Sequence, residues 1–381
     1  MRFPEFSGEW KRVELKDVAE FQKSRIPADS LDASCYISTE NLIPNFGGIK
    51  EASSIPTDGN VMAIKPNDIL ISNIRPYLKK VWQSDRFGGC SADVFVLRTT
   101  RCQSDFLYNI IASDKFINYA MSGAKGVKMP RGDKRQMEEF EFSIPAIEEQ
   151  NRISRLLSLL DERIATQNKI IYKLKSLIRG IMVELQKRGL SNGTWKKVLL
   201  SNVLTERNEL NKSLYPVYSV SVIQGIVNQM EYLGRSFAAS DTSKYHVVHY
   251  GDLVYTKSPT GSFPYGIIKQ SYNQNEVAVS PLYGVYEPKT FSTGVFLHEY
   301  FKSELNTLNY LHPLVQKGAK NTINIANQRF LESYVAIPSN ANELLAISKL
   351  LCSLNTKLEF LQNILKQSQG QKQYLLRQMF I

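Results

Sequence analysis

The segment "IPAIEEQNRISRLLSLLDERI" (Ile144 to Ile164) returns as "IPSNANELLAISKLLCSLNTKL" (Ile337 to Leu358). Ile153-Ser154-Arg155-Leu156-Leu157 aligns with Ile347-Ser348-Lys349-Leu350-Leu351, a shift of 194 residues. A long-period repeat constrains a chain more than its composition does, because whatever one copy folds into the other must fold into as well. The match extends outward. "EWKRVELKDVAEF" (from Glu9) resembles "TWKKVLLSNVLTE" (from Thr194). "NDILISNIRPYLKKV" (from Asn67) parallels "GDLVYTKSPTGSFPYGII" (from Gly251), and "SGAKGVKMPRGDKRQMEEFEFSIP" (from Ser122) parallels "KGAKNTINIANQRFLESYVAIP" (from Lys317). The period is far longer than that of a solenoid, so the chain reads as a duplicated domain.

After each Ile-Pro comes a heptad seam. In the first copy it runs through Ile153, Leu157, Leu160, Ile164, Gln167, Ile171, Leu174 and Ile178, then Ile181 and Leu185, in alternating steps of 4 and 3. In the second it runs through Ile347, Leu351, Leu354, Leu358, Leu361 and Leu365. There it meets Ser368 and Lys372, loses phase, and resumes at Leu376 and Met379. "SLIRGIM" aligns with "YLLRQMF" at a shift of 198, so the second helix carries four extra residues, a stutter. A helix buried in one large core is the plainer alternative. Two such seams in one chain can pair, and a pseudo-twofold relation between the halves would make them antiparallel, spacing two heads along a rod.

Each head reads as mixed helix and strand. "DILIS", "DVFVL", "DLVYT" and "LYGVY" are short apolar strands separated by Gly, Pro, Asn and Ser clusters. "SDFLYNIIASDKFINYAM" has helical spacing. The expected fold class is therefore α+β, two similar mixed α/β domains separated by two long antiparallel coiled-coil helices with a pseudo-twofold internal repeat. The expected domains are 1–145, a spacer helix over 146–190, 191–338, and a second spacer helix over 339–381.

Composition narrows the function. A chain of 381 residues with 43% hydrophobic and 22% charged content is an ordinary globular protein, too long for one core. No run of eighteen apolar residues occurs, so no membrane span is expected. The first residues lack the apolar centre of a signal peptide, and the four cysteines, Cys35, Cys90, Cys102 and Cys352, show no paired spacing. Reduced thiols and a cytoplasmic setting are expected. The formal net charge is +11, which suits a polyanionic partner. Residues 146–188 hold nine Lys/Arg against five Asp/Glu, and residues 341–381 hold five against two. The heads are thus only weakly basic, and a nucleic-acid footprint on them must be local.

Catalytic signatures are missing. No Gly-Lys dipeptide occurs, so there is no phosphate-binding loop for ATP, and no Asp/Asn-Pro-Pro-aromatic sequence occurs for amino-methyl transfer. His246 and His249 have no second ligand pair nearby, and strand alternation explains them better than zinc. "EEFEFSIP" alternates like an edge strand with a solvated acidic face. No metal site is expected.

Binding signatures are present at matching places. "SNIRPYLKK" offers Asn73, Arg75, Tyr77, Lys79 and Lys80; "GAKGVKMPRGDKR" offers Lys125, Lys128, Arg131, Lys134 and Arg135. In the second half "TKSPTGSFPYG" offers Lys257, Ser258, Thr260 and Tyr265, and "KGAKNTINIANQR" offers Lys317, Lys320, Asn321, Asn324 and Arg329. Arg can fork onto guanine and Asn onto adenine, whereas most Lys would meet phosphate. Each cluster alone could be a solvated loop; their recurrence in both halves favours DNA.

The Trp-Lys start, the "SNIRPYLKK" loop, the Gly-Ala-Lys loop and "IPAIEEQNRISRLLSLLDERI" together resemble the specificity subunit of type I restriction–modification systems, along essentially the whole chain. The most specific part is Ile144-Pro145 with Glu148-Glu149-Gln150 and the leucine helix. "IPSNANELL" lacks the Glu-Gln pair, so contacts that depend on it are not expected in the second half. The resemblance implies two target-recognition domains reading a bipartite double-stranded DNA site with an unspecified spacer. It also implies two methyltransferase subunits as partners and, through them, motor-nuclease subunits, in a phage-defence restriction system. S-adenosylmethionine, ATP and Mg would serve those partners, with no cofactor and no catalysis in this chain. The leading alternative is a non-catalytic two-headed coiled-coil adaptor for proteins; a stand-alone DNA methyltransferase fits less well.

Overall fold

A computed structural model describes residues 2–235, 238–317 and 323–379, with backbone alone at 317, 323 and 324. The chain forms two compact units: residues 1–168 with 364–381, and the contiguous stretch 169–363. Neither unit stops where its loops and strands stop. Each takes part of both long helices.

In the first unit, β1 (Lys11–Glu14), β2 (Ala19–Phe21), β3 (Ile69–Ser72), β4 (Val81–Gln83), β5 (Val94–Thr99) and β6 (Glu141–Ile144) carry the frame. β1 pairs antiparallel with β6, Val13 facing Phe142. The other four form an antiparallel sheet in the order β2-β5-β3-β4. Ile69, Leu70 and Ile71 are all buried, which explains the unbroken apolar run of "DILIS". Strand alternation sends Ile69 and Ile71 into the main core and Leu70 into a second cluster with Val94 and Val96. The helical stretch breaks in two, α1 (Ser104–Ile111) and α2 (Asp114–Ser122). Ser113 causes the break: its hydroxyl accepts the Phe116 N–H at 3.3 Å and starts the second helix. Glu138 ends a short helix, Lys134–Glu138, so the edge-strand reading holds only from Glu141 onward.

The long helix α3 spans Ile147–Ser191. Its first turns belong to the first unit, where Ile153, Leu157 and Leu160 share the core with Leu375, Leu376 and Met379 of the chain's last helix. At Lys372, where the second seam loses phase, the ammonium binds both Asp161 oxygens at 2.6 and 2.8 Å, and Ser368 is buried beside it in sequence.

The second unit repeats this frame with β7 (Trp195–Leu199), β8 (Leu204–Glu206), β9 (Leu253–Tyr255), β10 (Ile268–Gln270), β11 (Gly284–Pro288) and β12 (Tyr334–Pro338). β7 pairs with β12, Lys196 facing Ile337 as Lys11 faces Ile144. The sheet order is β8-β11-β9-β10, the first unit's order again. Leu253 and Tyr255 face the main core while Val254 joins Val248, Val277 and Val285 on the other face. α4 (Phe291–Tyr300) and α5 (Glu304–Leu311) follow, then α6 (Ala341–Met379). Trp10 meets Phe106 edge-on at 6.4 Å in the first unit, and Trp195 meets Phe296 edge-on at 5.3 Å in the second.

Here Ile178 and Met182 of α3 are buried with Leu344, Ile347 and Leu351 of α6, and half-buried Leu174, Leu354 and Leu358 flank them. Ile171 is buried, while Ile164, Leu361 and Leu365 are half-buried. In each unit, then, one end of α3 packs with the opposite end of α6. The second copy keeps a glutamate at the position of Glu149. Glu149 binds Arg2 bidentately at 2.7 and 2.8 Å; Glu343 accepts the Trp195 indole N–H at 2.8 Å. Only Gln150, which accepts the Gln103 N–H, is replaced, by Leu344.

Candidate nucleic-acid interface

The loops singled out by sequence leave equivalent strands. In the first unit, β3 ends at Ser72 and the chain turns through Asn73 to Lys80. Arg75 and Lys79 both adopt the left-handed region, at φ 51° and 55°. These are strained backbones for non-glycine residues, kept by the contacts around them. The Gly-Ala-Lys loop supplies those contacts. Asn73 O accepts the Gly132 N–H at 3.0 Å, Arg75 N–H reaches Pro130 O at 2.8 Å, and Ile74 bridges Arg131. Lys125 and Arg131 exchange two backbone hydrogen bonds of 2.9 Å, closing a narrow hairpin. Two clusters some fifty residues apart in sequence thus form one surface.

The cations on it divide. Lys79 pairs with Asp114 at 2.6 Å, Lys125 with Asp133 at 2.9 Å, and Arg131 with Asp93 at 3.0 Å. Lys134 lies 4.7 Å from the Phe95 ring and 5.5 Å from the Phe21 ring. Lys80 donates to Thr39 O at 2.5 Å, and burial, then Lys50, pulls its ammonium below the usual range. Arg75 and Lys128 are exposed, and among the described residues neither has a carboxylate partner. The Asn73 side-chain oxygen is buried without a hydrogen bond. Tyr77 is exposed.

In the second unit the loop after β9 carries Lys257 at φ 59°, again left-handed. Gly266 is needed opposite it, because a Cβ there would come within 2.8 Å of Lys257 N. Burial lowers the Lys257 ammonium, with Glu206 opposing. Ser258 is exposed and its carbonyl accepts the Thr260 hydroxyl at 3.0 Å. Thr260 and Phe263 exchange backbone bonds of 3.0 Å. Tyr265 is half-buried, its carbonyl accepting the Tyr255 hydroxyl at 2.7 Å. Gln316–Lys317 pairs with Ile323–Asn324 as a two-stranded ribbon; Lys320 and Asn321 lie outside the described residues, and the side chains of Lys317 and Asn324 are not described. Arg329 is turned inward, its Nε donating to Leu314 O at 2.9 Å.

Sequence reasoning missed a polar cluster beneath this loop. Glu206 accepts from Asn327 Nδ2 at 2.7 Å and from Gln328 Nε2 at 3.0 Å. The Asn327 side-chain oxygen Oδ1 and His246 Nδ1 are buried without partners. The signal was present in "NIANQR", where the amides run past the ribbon. His249 does not join His246: its Nε2 lies 2.7 Å from Glu209.

The frame is built twice, and in each unit a loop that the sequence singles out leaves the end of the central strand, after Ser72 in one and after Tyr255 in the other. Residues 7–176 match the family described as the type I restriction modification DNA specificity domain. Over about half its length the chain is similar to specificity subunits of type I restriction–modification systems. It is 26% identical over 194 residues to the type I restriction enzyme MjaVIII specificity subunit of Methanocaldococcus jannaschii, covering 50% of this chain and 44% of that protein. It is 24% identical over 206 residues to the EcoDI specificity subunit of Escherichia coli, covering 51% and 45%. The alignments thus span less than half of each relative. The fold matches that of the S subunit of a type I system from M. genitalium, with a TM-score of 0.62, 14% identity, and 98% and 96% of the two chains covered. No helix among the described residues is long and apolar enough to cross a membrane.

Proposed function

We propose that this chain is the DNA-reading subunit of a type I restriction–modification enzyme, one unit per half-site of a bipartite duplex target. The observation that supports the reading is the recurrence of a loop at the same end of the central strand in both units, with different side chains: Arg75 and Tyr77 in one, Ser258 and Thr260 in the other. Different side chains on one frame give a site that need not be a palindrome. In this reading phosphate contacts from lysines such as Lys128 set register, and Arg75 forks onto a base. The two long helices offer methyltransferase subunits two equivalent platforms, and through these the motor-nuclease subunits join. S-adenosylmethionine, ATP and Mg belong in this reading to those partners. The chain itself binds and does not catalyse.

The test is adenine-methylation mapping in cells that express the chain with its methyltransferase partner, wild type against Arg75→Ala. The expected outcome is a bipartite motif whose preference relaxes in one half only. A preference altered in both halves, or methylation without any motif, overturns the assignment. Affinity of the complex for duplex should fall steeply with added salt; a protein adaptor would hold no duplex at all.

A further inference from the structure

The hairpin closed by Lys125 and Arg131 has an apolar tip. Val127 is fully exposed at 104%, and Met129, two residues on, is 48% exposed. A single exposed apolar side chain needs no explanation. Three features set this one apart. First, the tip is held rather than loose. Its base is tied by the two Lys125–Arg131 bonds, and Pro130 O is fixed by Arg75 N–H at 2.8 Å. Second, its turn is tight: Gly126 sits at φ 95°, and a Cβ there would lie 3.3 Å from Met129 O. Third, charge surrounds it. Lys128 separates the two apolar residues, Arg75 lies on the loop bonded to the hairpin, and Tyr77 on that loop is exposed as well. A tip meant for an apolar protein pocket gains nothing from a cationic collar; a tip meant for a polyanion with an apolar interior gains both.

We propose that this hairpin is a wedge: Val127, backed by Met129, enters the base stack of the half-site read by the first unit and opens one step, while Lys128 holds a flanking phosphate. This rests on the DNA-reading assignment above and deepens it. Apolar side chains inserted between base steps partly unstack them and kink the duplex, and the bend lets more protein surface touch DNA. The preference for that step then arises from how easily it deforms, without a hydrogen bond to a base edge. The ribbon at the corresponding place in the second unit, Gln316–Lys317 with Ile323–Asn324, has the different sequence "KGAKNTIN". The wedge is therefore assigned to the first half-site.

The experiment uses the chain in complex with its methyltransferase subunits and a duplex carrying the methylation-mapped target. 2-Aminopurine replaces each base of the first half-site in turn, leaving out the methylated adenine, because methyltransferases flip their target base. Wild type should brighten the probe at one step. Val127→Ala with Met129→Ala should abolish that brightening and weaken binding about tenfold, with the slope of log affinity against log salt unchanged, since no phosphate contact is lost. Lys128→Ala should keep the brightening and lower the slope by about one. Duplex binding without brightening at any position overturns the wedge and leaves the DNA reading intact, as does brightening that survives in the double variant. Loss of the methyltransferase subunits from the double variant, with brightening retained, would mean that the tip docks on protein instead. A wild-type complex that binds no duplex overturns both readings. Equal melting temperatures of the variants and wild type exclude misfolding as the cause.

Discussion

Asp68 accepts from one edge of the Arg98 guanidinium, Nε and Nη2 each at 2.7 Å, yet the arginine that does the same for Asp252 stands at a different strand position. Asp68 and Asp252 are equivalent: each is nearly fully buried, precedes the central strand, and accepts a backbone N–H from the residue three before it, Lys65 or His249. Arg98 lies on β5, next to the central strand. Arg207 instead follows β8, at the place Gln22 holds after β2; both donate a backbone N–H of 2.8 Å to the neighbouring strand, to Val285 O and Val96 O. Where Arg98 would be, the second unit has Glu287, whose carboxylate lies 3.2 Å from Arg207. Where Arg207 would be, the first unit has Gln22, which accepts from Arg98 at 2.7 Å. A buried carboxylate must be paired, and either adjacent strand can supply the cation.

Exchange of the pair follows directly. Arg207→Gln strands the Asp252 carboxylate, which burial already pushes above its usual range, and should destabilise the second unit by about 1–3 kcal/mol, less than the ~3–5 kcal/mol of a fully buried pair because Arg207 keeps some exposure. Adding Glu287→Arg rebuilds the first unit's arrangement and should recover at least half of the loss. Urea unfolding of the three proteins measures both steps; a double variant no more stable than the single would show that the two positions are not interchangeable.

At the stutter, Lys372 and Asp161 exchange an apolar seam position for an ion pair. Lys372 is 20% exposed and Asp161 46%, so the pair is only partly desolvated. Lys372→Ala should cost about 0.5–1 kcal/mol. Lys372→Leu should be neutral or stabilising, since it restores the seam while Asp161 keeps its water. Thermal melts at low and high salt separate the two, because the gap between wild type and Lys372→Ala should shrink as salt rises.

His298 gives the second unit an acid sensitivity. Its ring is fully buried, Nδ1 accepts the Gln270 N–H at 2.9 Å, and burial, then Lys302 and Lys269, holds its pKa well below the usual histidine value. Lys269, itself buried, is pushed down to about 8 by burial and then by Lys302, with Glu299 opposing. The folded pKa is depressed, so the contribution is present above the unfolded value near 6.5 and is lost as pH falls below it, at ~1.4 kcal/mol per pH unit for one proton. His298→Gln keeps an acceptor for Gln270 and should flatten the stability profile between pH 6.5 and 5. Parallel profiles for the two proteins would contradict the assignment.

Two glycines of α3 should respond in opposite directions. Nothing lies within 4 Å of a Cβ built on Gly180, so Gly180→Ala should stabilise the helix by about 0.5–1 kcal/mol. A Cβ on Gly189 would meet the Trp195 indole at 2.2 Å, so Gly189→Ala should destabilise by about 1–3 kcal/mol despite the better helix propensity. Denaturant midpoints of the two variants give the comparison.

Much of the frame was legible because it is local or repeated. Ile69–Ile71 and Leu253–Tyr255 are unbroken apolar runs because each strand feeds two cores, and the seams from Ile153 and Ile347 show which helix face is buried. The helix break at Ser113 was less legible, since apolar spacing continues across it while one hydroxyl cap decides the geometry. The exchanged arginine was not legible: Arg98 and Arg207 occupy unequal places in the repeat, so alignment separates residues that perform the same task. Site residues were legible as clusters and not as roles. Lys79, Lys125 and Arg131 differ from Arg75 and Lys128 only in having a carboxylate within reach, and those carboxylates, Asp114, Asp133 and Asp93, come partly from other segments.

The division of the long helices has a consequence for biosynthesis. The second unit is a single uninterrupted stretch, 169–363, whereas the core of the first is closed by Leu375, Leu376 and Met379. A ribosome making this chain delivers the first unit's sheet first and its last core residues at the end. The second unit can therefore close while the first still lacks a wall. Until Met379 emerges, the core that holds Leu157 and Leu160 lacks Leu375, Leu376 and Met379, and the nascent first unit stays open where they will pack.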